Sequence, residues 1–224
     1  NPRFQGARYH KQPEEEIADF RNNVIYNWKS NNSYAGEEGN YNMINNLYIP
    51  GPATRSKEDK ILDPYEPFGR FYLEGNVLIG DDEVTKDNWK GVDGGDEVVT
   101  HIKLEEALDH APVTTQSAKD AFEIVLQEVG ANYRRDDVDK RVIKEVCEST
   151  STYGDKGIIN SQKEVGGWPE LKSIKPPKDT DQDGMPDKWE KKKGLNPQLD
   201  DSAETGLNGH YTNIEVYLNE LVED

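Results

Sequence analysis

Between about residues 17 and 80 three stretches share one rhythm: "ADFRNNVIYNW", "NYNMINNLYI" and "GRFYLEGNVLIG". Each alternates apolar and polar positions, then meets Asn or Gly-Asn, then runs apolar again. That pattern predicts strand, sharp bend, strand. Asn23, Asn46 and Asn76 suit the bends, because Asn tolerates left-handed backbone angles and hydrogen-bonds locally. They stand 23 and 30 residues apart, a spacing found in stacked solenoid repeats such as parallel β-helices, where aligned amides can bond from rung to rung. The longer interval carries the Pro-rich "PGPATRSKEDKILDPYEPFG", which is expected to protrude as a loop. An antiparallel meander would show the same alternation.

From about 96 the apolar period lengthens. "SAKDAFEIVLQEVG" sets Ala118, Ala121, Phe122, Val125 and Val129 on one helical face, with Ser117 and Asp120 as a capping pair and Gly130 as the stop. "DDVDKRVIKEVCE" repeats the spacing with Val138, Val142 and Val146, and both stripes are expected to seam against the strands. Cys147, beside Val146 and near Ile143, reads as core packing. "KPPK", Lys175 to Lys178, reads as a linker. The expected organisation is therefore strands over 1–95, a helical and irregular extension over 96–174, and a tail over 175–224.

Composition narrows the function. Only 33% of the 224 residues are hydrophobic, and mean hydropathy is -0.96, so the chain is polar and loop-rich. It has no apolar run near the roughly 20 residues that span a bilayer. "NPRFQGARYH" shows neither an initiator Met nor a signal-peptide pattern, and reads as the start of a mature or cut product. A single cysteine forms no internal disulfide. The net charge of -17 disfavours nucleic acid and anionic membranes as partners. Positive charge gathers locally, however: Arg3, Arg8 and Lys11 precede any acid. His10 and Tyr9 follow Arg8 closely, and His10 reads as structural; Trp28, Trp89 and Trp168 read as core or loop anchors with the capacity to stack on sugar rings.

The most specific motif is "DTDQDGMPDKWEKKKG". Counting Asp179 as the first position, Asp181, Asp183, Gly184, Asp187 and Glu190 fall at the third, fifth, sixth, ninth and twelfth positions of a D-x-D-x-D-G-x5-E calcium loop. Met185 would offer its backbone carbonyl at the seventh position. Five carboxylates so close repel one another without a cation, so Ca2+ is the expected ion. Two short helices follow, the second opened by a Thr212-x-x-Glu215 box, and a tail this small needs a metal to fold. A calcium-sensor reading fails, since a sensor pairs its loops around a Met-rich groove and this chain has two Met.

Taken in order, "NPRFQGARYHKQP", "DFRNNVIYNW", "YNMINNLYIPGPAT", "FYLEGNV", "AFEIVLQEVGANYRRDDVD" and "IINSQKEVGGWPE" resemble the C-terminal part of pectate lyases secreted by Bacteroidetes, and the tail resembles thrombospondin type-3-like calcium repeats. The resemblance implies a mainly β fold, a right-handed parallel β-helix, with a helical wrapping extension and a small calcium-loop helical tail. It implies calcium-assisted β-elimination on polygalacturonate, and a secreted, periplasmic or cell-surface location. The family motif Arg-x-Pro-x-x-Arg places its first Arg, the proposed base, just before Asn1, so the catalytic residues are unassigned within this chain. Gln5 stands where the second motif Arg belongs, which leaves Arg3, Arg8 and Lys11 as binders of an anionic polysaccharide. The resemblance further implies a companion chain, the N-terminal half of the same precursor, covering the first rung. A non-catalytic, calcium-stabilised carbohydrate-binding or adhesion protein on the same fold is the alternative.

Overall fold

Each rhythmic stretch folds into a rung of three short strands. In the computed structural model, which describes residues 2–7, 11–55, 57–170 and 172–222, the first rung is β1 (Arg3–Phe4), β2 (Ile17–Arg21) and β3 (Val24–Tyr26). The second is β4 (Tyr34–Ala35), β5 (Asn40–Ile44) and β6 (Leu47–Ile49); the third is β7 (Asp63–Pro64), β8 (Arg70–Glu74) and β9 (Val77–Leu78). Corresponding strands pair in parallel into three sheets, β1-β4-β7, β2-β5-β8 and β3-β6-β9. This is the architecture of a parallel β-helix, and it excludes the antiparallel meander. The rungs lie in Asn1–Pro169; Glu170–Asp224 forms a second unit.

The interior is aromatic and aliphatic. Phe4 lies 4.6 Å from Tyr41, which stacks on Phe71 at 4.9 Å between ring centroids, and Met43, Leu73 and Leu78 fill the space beside them. One end of the stack is closed by α1 (Asp82–Lys86), a 3₁₀ turn over Asn88–Gly91 and α2 (Gly95–Ile102), which insert Val84, Val92 and Ile102 into the core. At the other end the first rung is less covered: Ile17 is 56% exposed, whereas Tyr41, Met43 and Ile44 of the second rung are buried.

The expected amide ladder is present and one rung longer than the sequence rhythm. Asn23 Nδ2 donates to Asn46 Oδ1 at 2.9 Å, and Asn46 Nδ2 donates to Asn76 Oδ1 at 2.8 Å. Asn76 Nδ2 in turn donates to Asn88 Oδ1 at 3.0 Å, so the closing 3₁₀ turn supplies the last step. The left-handed residues are not these asparagines but the residues before them, Asn22, Asn45 and Gly75. The ladder amides are buried or partly buried between the rungs, and the residue before each takes the sharp turn. At Gly75 a Cβ would meet Asn45 Oδ1 at 1.9 Å, so glycine fits there without displacing that amide.

Two helices follow, with different fates. In α3 (Ala118–Glu128), opened by the Ser117 cap, Ala118 packs with Leu47 and Ile49, and Phe122 joins them, as the stripe predicts. Val129 falls beyond the last turn and is exposed. In α4 (Asp137–Glu148) no residue is fully buried, Val142 is 46% exposed, and Cys147 is exposed rather than in the core. Apolar spacing defined the stripe, but no element covers that side of the helix fully.

The second unit contains α5 (Asp187–Lys193), ended by left-handed Gly194, and α6 (Asn213–Glu220), opened by the Thr212–Glu215 capping box. Trp189 ties them together: its ring lies 5.1 Å from Tyr217, and its Nε1 donates to Glu220 Oε2 at 2.9 Å. Lys193 pairs with the same carboxylate group.

Candidate metal centre and first-sheet face

The acidic loop leads directly into α5. Asp179 orders its start, accepting from the backbone N–H of Gln182 at 2.8 Å and of Gly184 at 3.1 Å. Gly184 adopts a left-handed φ of 96°, which lets the chain double back. Carboxylate oxygens of Asp179, Asp181 and Asp183 then lie within 4.8 Å of one another, and Asp183 forms a second such group with Glu190 and Asp201.

Both oxygens of Asp181, Oδ2 of Asp183 and both oxygens of Glu190 are buried without a hydrogen-bond donor. Glu190 has 0% exposure. Buried carboxylates left without partners are strongly disfavoured, and the electrostatics register this. Burial, reinforced by Asp181 and Asp183, pushes Glu190 up to about 7. Burial also raises Asp181. An all-oxygen, multiply anionic donor set converging on one point fits a hard divalent ion, calcium before magnesium, because so many flexible protein oxygens leave little room for retained water.

The geometry differs from the linear template in one respect. Asp187 turns away, accepting from Lys178 Nζ at 2.8 Å and from Thr180 N at 2.7 Å and Oγ1 at 2.8 Å. Those bonds hold its carboxyl below the ordinary range, with Lys178 the largest cause. Asp201, from the loop between the helices, stands beside Asp183 and Glu190 instead. Asn213, buried at the start of α6, donates to Asp201 O at 2.9 Å and fixes that loop. No fixed spacing marks Asp201 in the sequence; its one signal is an acid placed before a capped helix. Met185 buries its side chain fully and donates its N–H to Asp183 Oδ1 at 2.9 Å.

The outer face of the first sheet carries a different chemistry. Parallel register aligns Arg3, Tyr34 and Asp63 across the three rungs. The Arg3 guanidinium lies 5.9 Å from the centre of the Tyr34 ring and pairs with Glu37 Oε1 at 3.3 Å. Tyr34 neighbours Tyr65 at 5.9 Å. Lys11 is exposed on a left-handed turn, with no ion pair among the described residues. Arg8 and His10 lie outside the described residues.

Beside this strip is a cluster that sequence reasoning missed. Lys57, from the Pro-rich loop, bridges Asp63 at 2.6 Å and Asp93 at 2.7 Å, while Asn31 Nδ2 donates to Asp63 Oδ2 at 2.6 Å. Burial raises the Asp63 carboxyl despite Lys57, whereas Lys57 lowers Asp93. Four segments meet here, so no local motif announces it. Replacing Lys57 by Ala leaves the mostly buried Asp63 facing Asp93. Urea denaturation should show a loss of about 2 kcal/mol at neutral pH. Because the folded pKa of Asp63 is raised, the deficit should shrink as pH falls and Asp63 takes up a proton.

No helix among the described residues is long and apolar enough to cross a membrane. No family model matches the chain. The chain is similar to fungal proteins described as probable pectate lyase C: 35% identical over 217 residues in Aspergillus flavus, 34% over 217 in Aspergillus oryzae and 30% over 219 in Emericella nidulans. These matches take in 92–93% of this chain. These relatives are fungal, whereas the resemblance drawn from the sequence is to enzymes of Bacteroidetes. The chain spans about half the length of these curated relatives, 48–49%, and it is its sequence that is similar to the probable pectate lyases.

Proposed function

We propose that this chain is the downstream part of a secreted pectate lyase that cleaves polygalacturonate by calcium-assisted β-elimination, with an active site completed by preceding rungs. The observation that carries the reading is the similarity to probable pectate lyases along 92% of the chain, on a fold whose first sheet presents Arg3 and Tyr34 outward. Preceding rungs, supplied by the N-terminal half of the same precursor, would cover the less buried β2. The twofold greater length of the relatives accords with that.

Chemically, β-elimination removes the C5 proton of a uronate and expels the glycosidic oxygen. Calcium, when bound to the substrate carboxylate, makes that proton more acidic. This chain's own residues bind and orient. Arg3 would exchange Glu37 for a uronate carboxylate, with Tyr34 beneath holding the guanidinium plane. The second calcium, in the acidic loop, would be structural: Asp179, Asp181, Asp183, Glu190 and Asp201 would hold it, with the Met185 carbonyl, and Asp187 would brace the loop.

The test is formation of unsaturated oligogalacturonides, followed by their ultraviolet absorbance, with this chain alone and reassembled with the upstream half. The expected result is activity only on reassembly and only with calcium. Arg3→Ala in the assembly should reduce kcat/KM about 10- to 100-fold, the worth of one charge-assisted contact. A reassembled protein yielding no unsaturated product would overturn the reading.

A further inference from the structure

A groove of the first unit lies far along the chain from Arg3. It has a volume of about 540 Å³ and is formed by one face of α4, the turn at Thr152–Tyr153 and the segment ending in Trp168. A groove of this size matches small-molecule and oligosaccharide sites. Its lining includes Lys140, Arg141 and Lys144 against one acid, Asp137. That is a local charge of about +2 on a chain of net charge -17.

Lys144 lies four residues after Lys140 and three after Arg141, spacings that set it beside both on the helix surface. Lys140 is only loosely held, 3.8 Å from the exposed Asp137. Arg141 lies over the Tyr153 ring at 5.5 Å. Lys144 makes no ion pair among the described residues. Of the nearby acids, Glu145 is engaged by the Thr152 N–H at 2.9 Å and Glu164 by the Asn160 N–H at 3.1 Å. Across the groove the chain turns through two consecutive left-handed glycines, Gly166 and Gly167. Trp168 then stands 81% exposed. A tryptophan so exposed gains nothing from the fold, and a large flat apolar ring beside cations is the pairing that a sugar acid requires: a carbohydrate face for the ring, a carboxylate for the cation.

We infer that this groove is a second binding site for an anionic oligosaccharide of uronic acids, separate from the first-sheet face, in which Lys144 and Arg141 engage carboxylates and Trp168 stacks on a sugar ring. The choice of uronic acid rests on the lyase reading; the demand for a negatively charged sugar rests on the groove. Charge complementarity selects this occupant over a protein partner, since a chain of net charge -17 repels polyanions except where cations gather, as they do in this groove and around Arg3. The site would hold the polymer while another part of it is processed.

The test titrates the whole chain with oligogalacturonate in the presence of chelator, so that neither cleavage nor calcium bridging contributes, and reads tryptophan fluorescence and affinity electrophoresis. The expected result is saturable binding that weakens with salt and falls about tenfold or more with fully methyl-esterified oligomer. Trp168→Ala and Lys144→Ala should each weaken binding about tenfold, with unchanged circular dichroism because both side chains are exposed. A sulfated polyanion binding as tightly as oligogalacturonate, or either variant binding like the unaltered chain, would overturn the inference, as would absence of binding. Lyase activity in the reassembled enzyme is scored separately. Binding lost in the variants with no lyase activity keeps the groove and fails the enzyme; activity with unaltered binding in the variants does the reverse.

Discussion

Asn46→Ala should lower the unfolding free energy of the strand unit by about 3 to 5 kcal/mol, seen as an earlier urea midpoint with an unchanged slope. The reason is the number of groups it strands. Asn46 Oδ1 accepts from both the backbone N–H and the Nδ2 of Asn23, and its Nδ2 donates to Phe20 O and Asn76 Oδ1. Asn46 is fully buried, so water cannot replace those bonds. Asn23 sits at the less covered end of the ladder, and Asn23→Ala should cost about 1 kcal/mol. Asn46→Asp adds a diagnostic. It keeps the acceptor but turns an oxygen toward Phe20 O and Asn76 Oδ1, so only the protonated acid can donate there. Its folded pKa must rise above the unfolded value of about 3.9. The variant should therefore be most stable at low pH and lose stability as pH rises through that folded pKa. Equal losses for Asn23→Ala and Asn46→Ala would refute the ladder as the stabilising device.

Withdrawal of calcium should have the second largest effect, confined to the second unit. With chelator, residues 170–224 should become protease-sensitive while the strand unit resists. Glu190→Gln should weaken calcium binding about 10- to 100-fold by removing the most buried carboxylate. Asp201→Asn should also weaken it, whereas Asp187→Asn should leave affinity largely intact and destabilise the turn around Thr180. Calorimetric titration of the three variants distinguishes the folded geometry from the linear loop template. The pH dependence has a definite sign. In the metal-free unit Glu190 rises from its ordinary 4.5 to about 7, so the folded form holds a proton that the unfolded form releases. Stability should then fall as pH rises from about 4.5 to 7, and Glu190→Gln should abolish that slope. Calcium should reverse the trend, since protons compete with it for the same oxygens.

What the sequence discloses depends on whether the cause is periodic. Asn23, Asn46 and Asn76 are legible because stacking repeats them, and the Asp179–Asp183 run is legible because a metal loop fixes its ligands at short spacing. Asn88 completes the ladder from a 3₁₀ turn that repeats nothing. Asp201 reaches the acidic centre only because Asn213 folds its loop inward. The Lys57, Asp63 and Asp93 cluster is assembled by stacking one rung and its closing turn against a long loop, contacts without local precedent. Cys147 shows the opposite limit: helical spacing marks a stripe, but burial requires a neighbour, and α4 receives only a partial one. The left-handed positions fall one residue early, at Asn22, Asn45 and Gly75, which repeat with the same stacking period as the ladder itself.

One contact between distant segments bears on how freely this sequence can diverge. Asn42, facing out from the second sheet, donates from Nδ2 to the carbonyl of Leu108 and accepts at Oδ1 from the Leu108 N–H; Asn22 treats the backbone of Gln116 in the same manner, and Asn45 Nδ2 donates to the same Gln116 carbonyl. On the crossing segment these amides recognise main chain alone, while Asn42 Nδ2 also donates to Asp19 Oδ1 at 3.0 Å. The crossing segment can therefore change almost every side chain at 108 and 116 without losing its attachment, while Asn42 and Asn22 cannot change at all, so mutational tolerance should be sharply unequal on the two sides of a single contact.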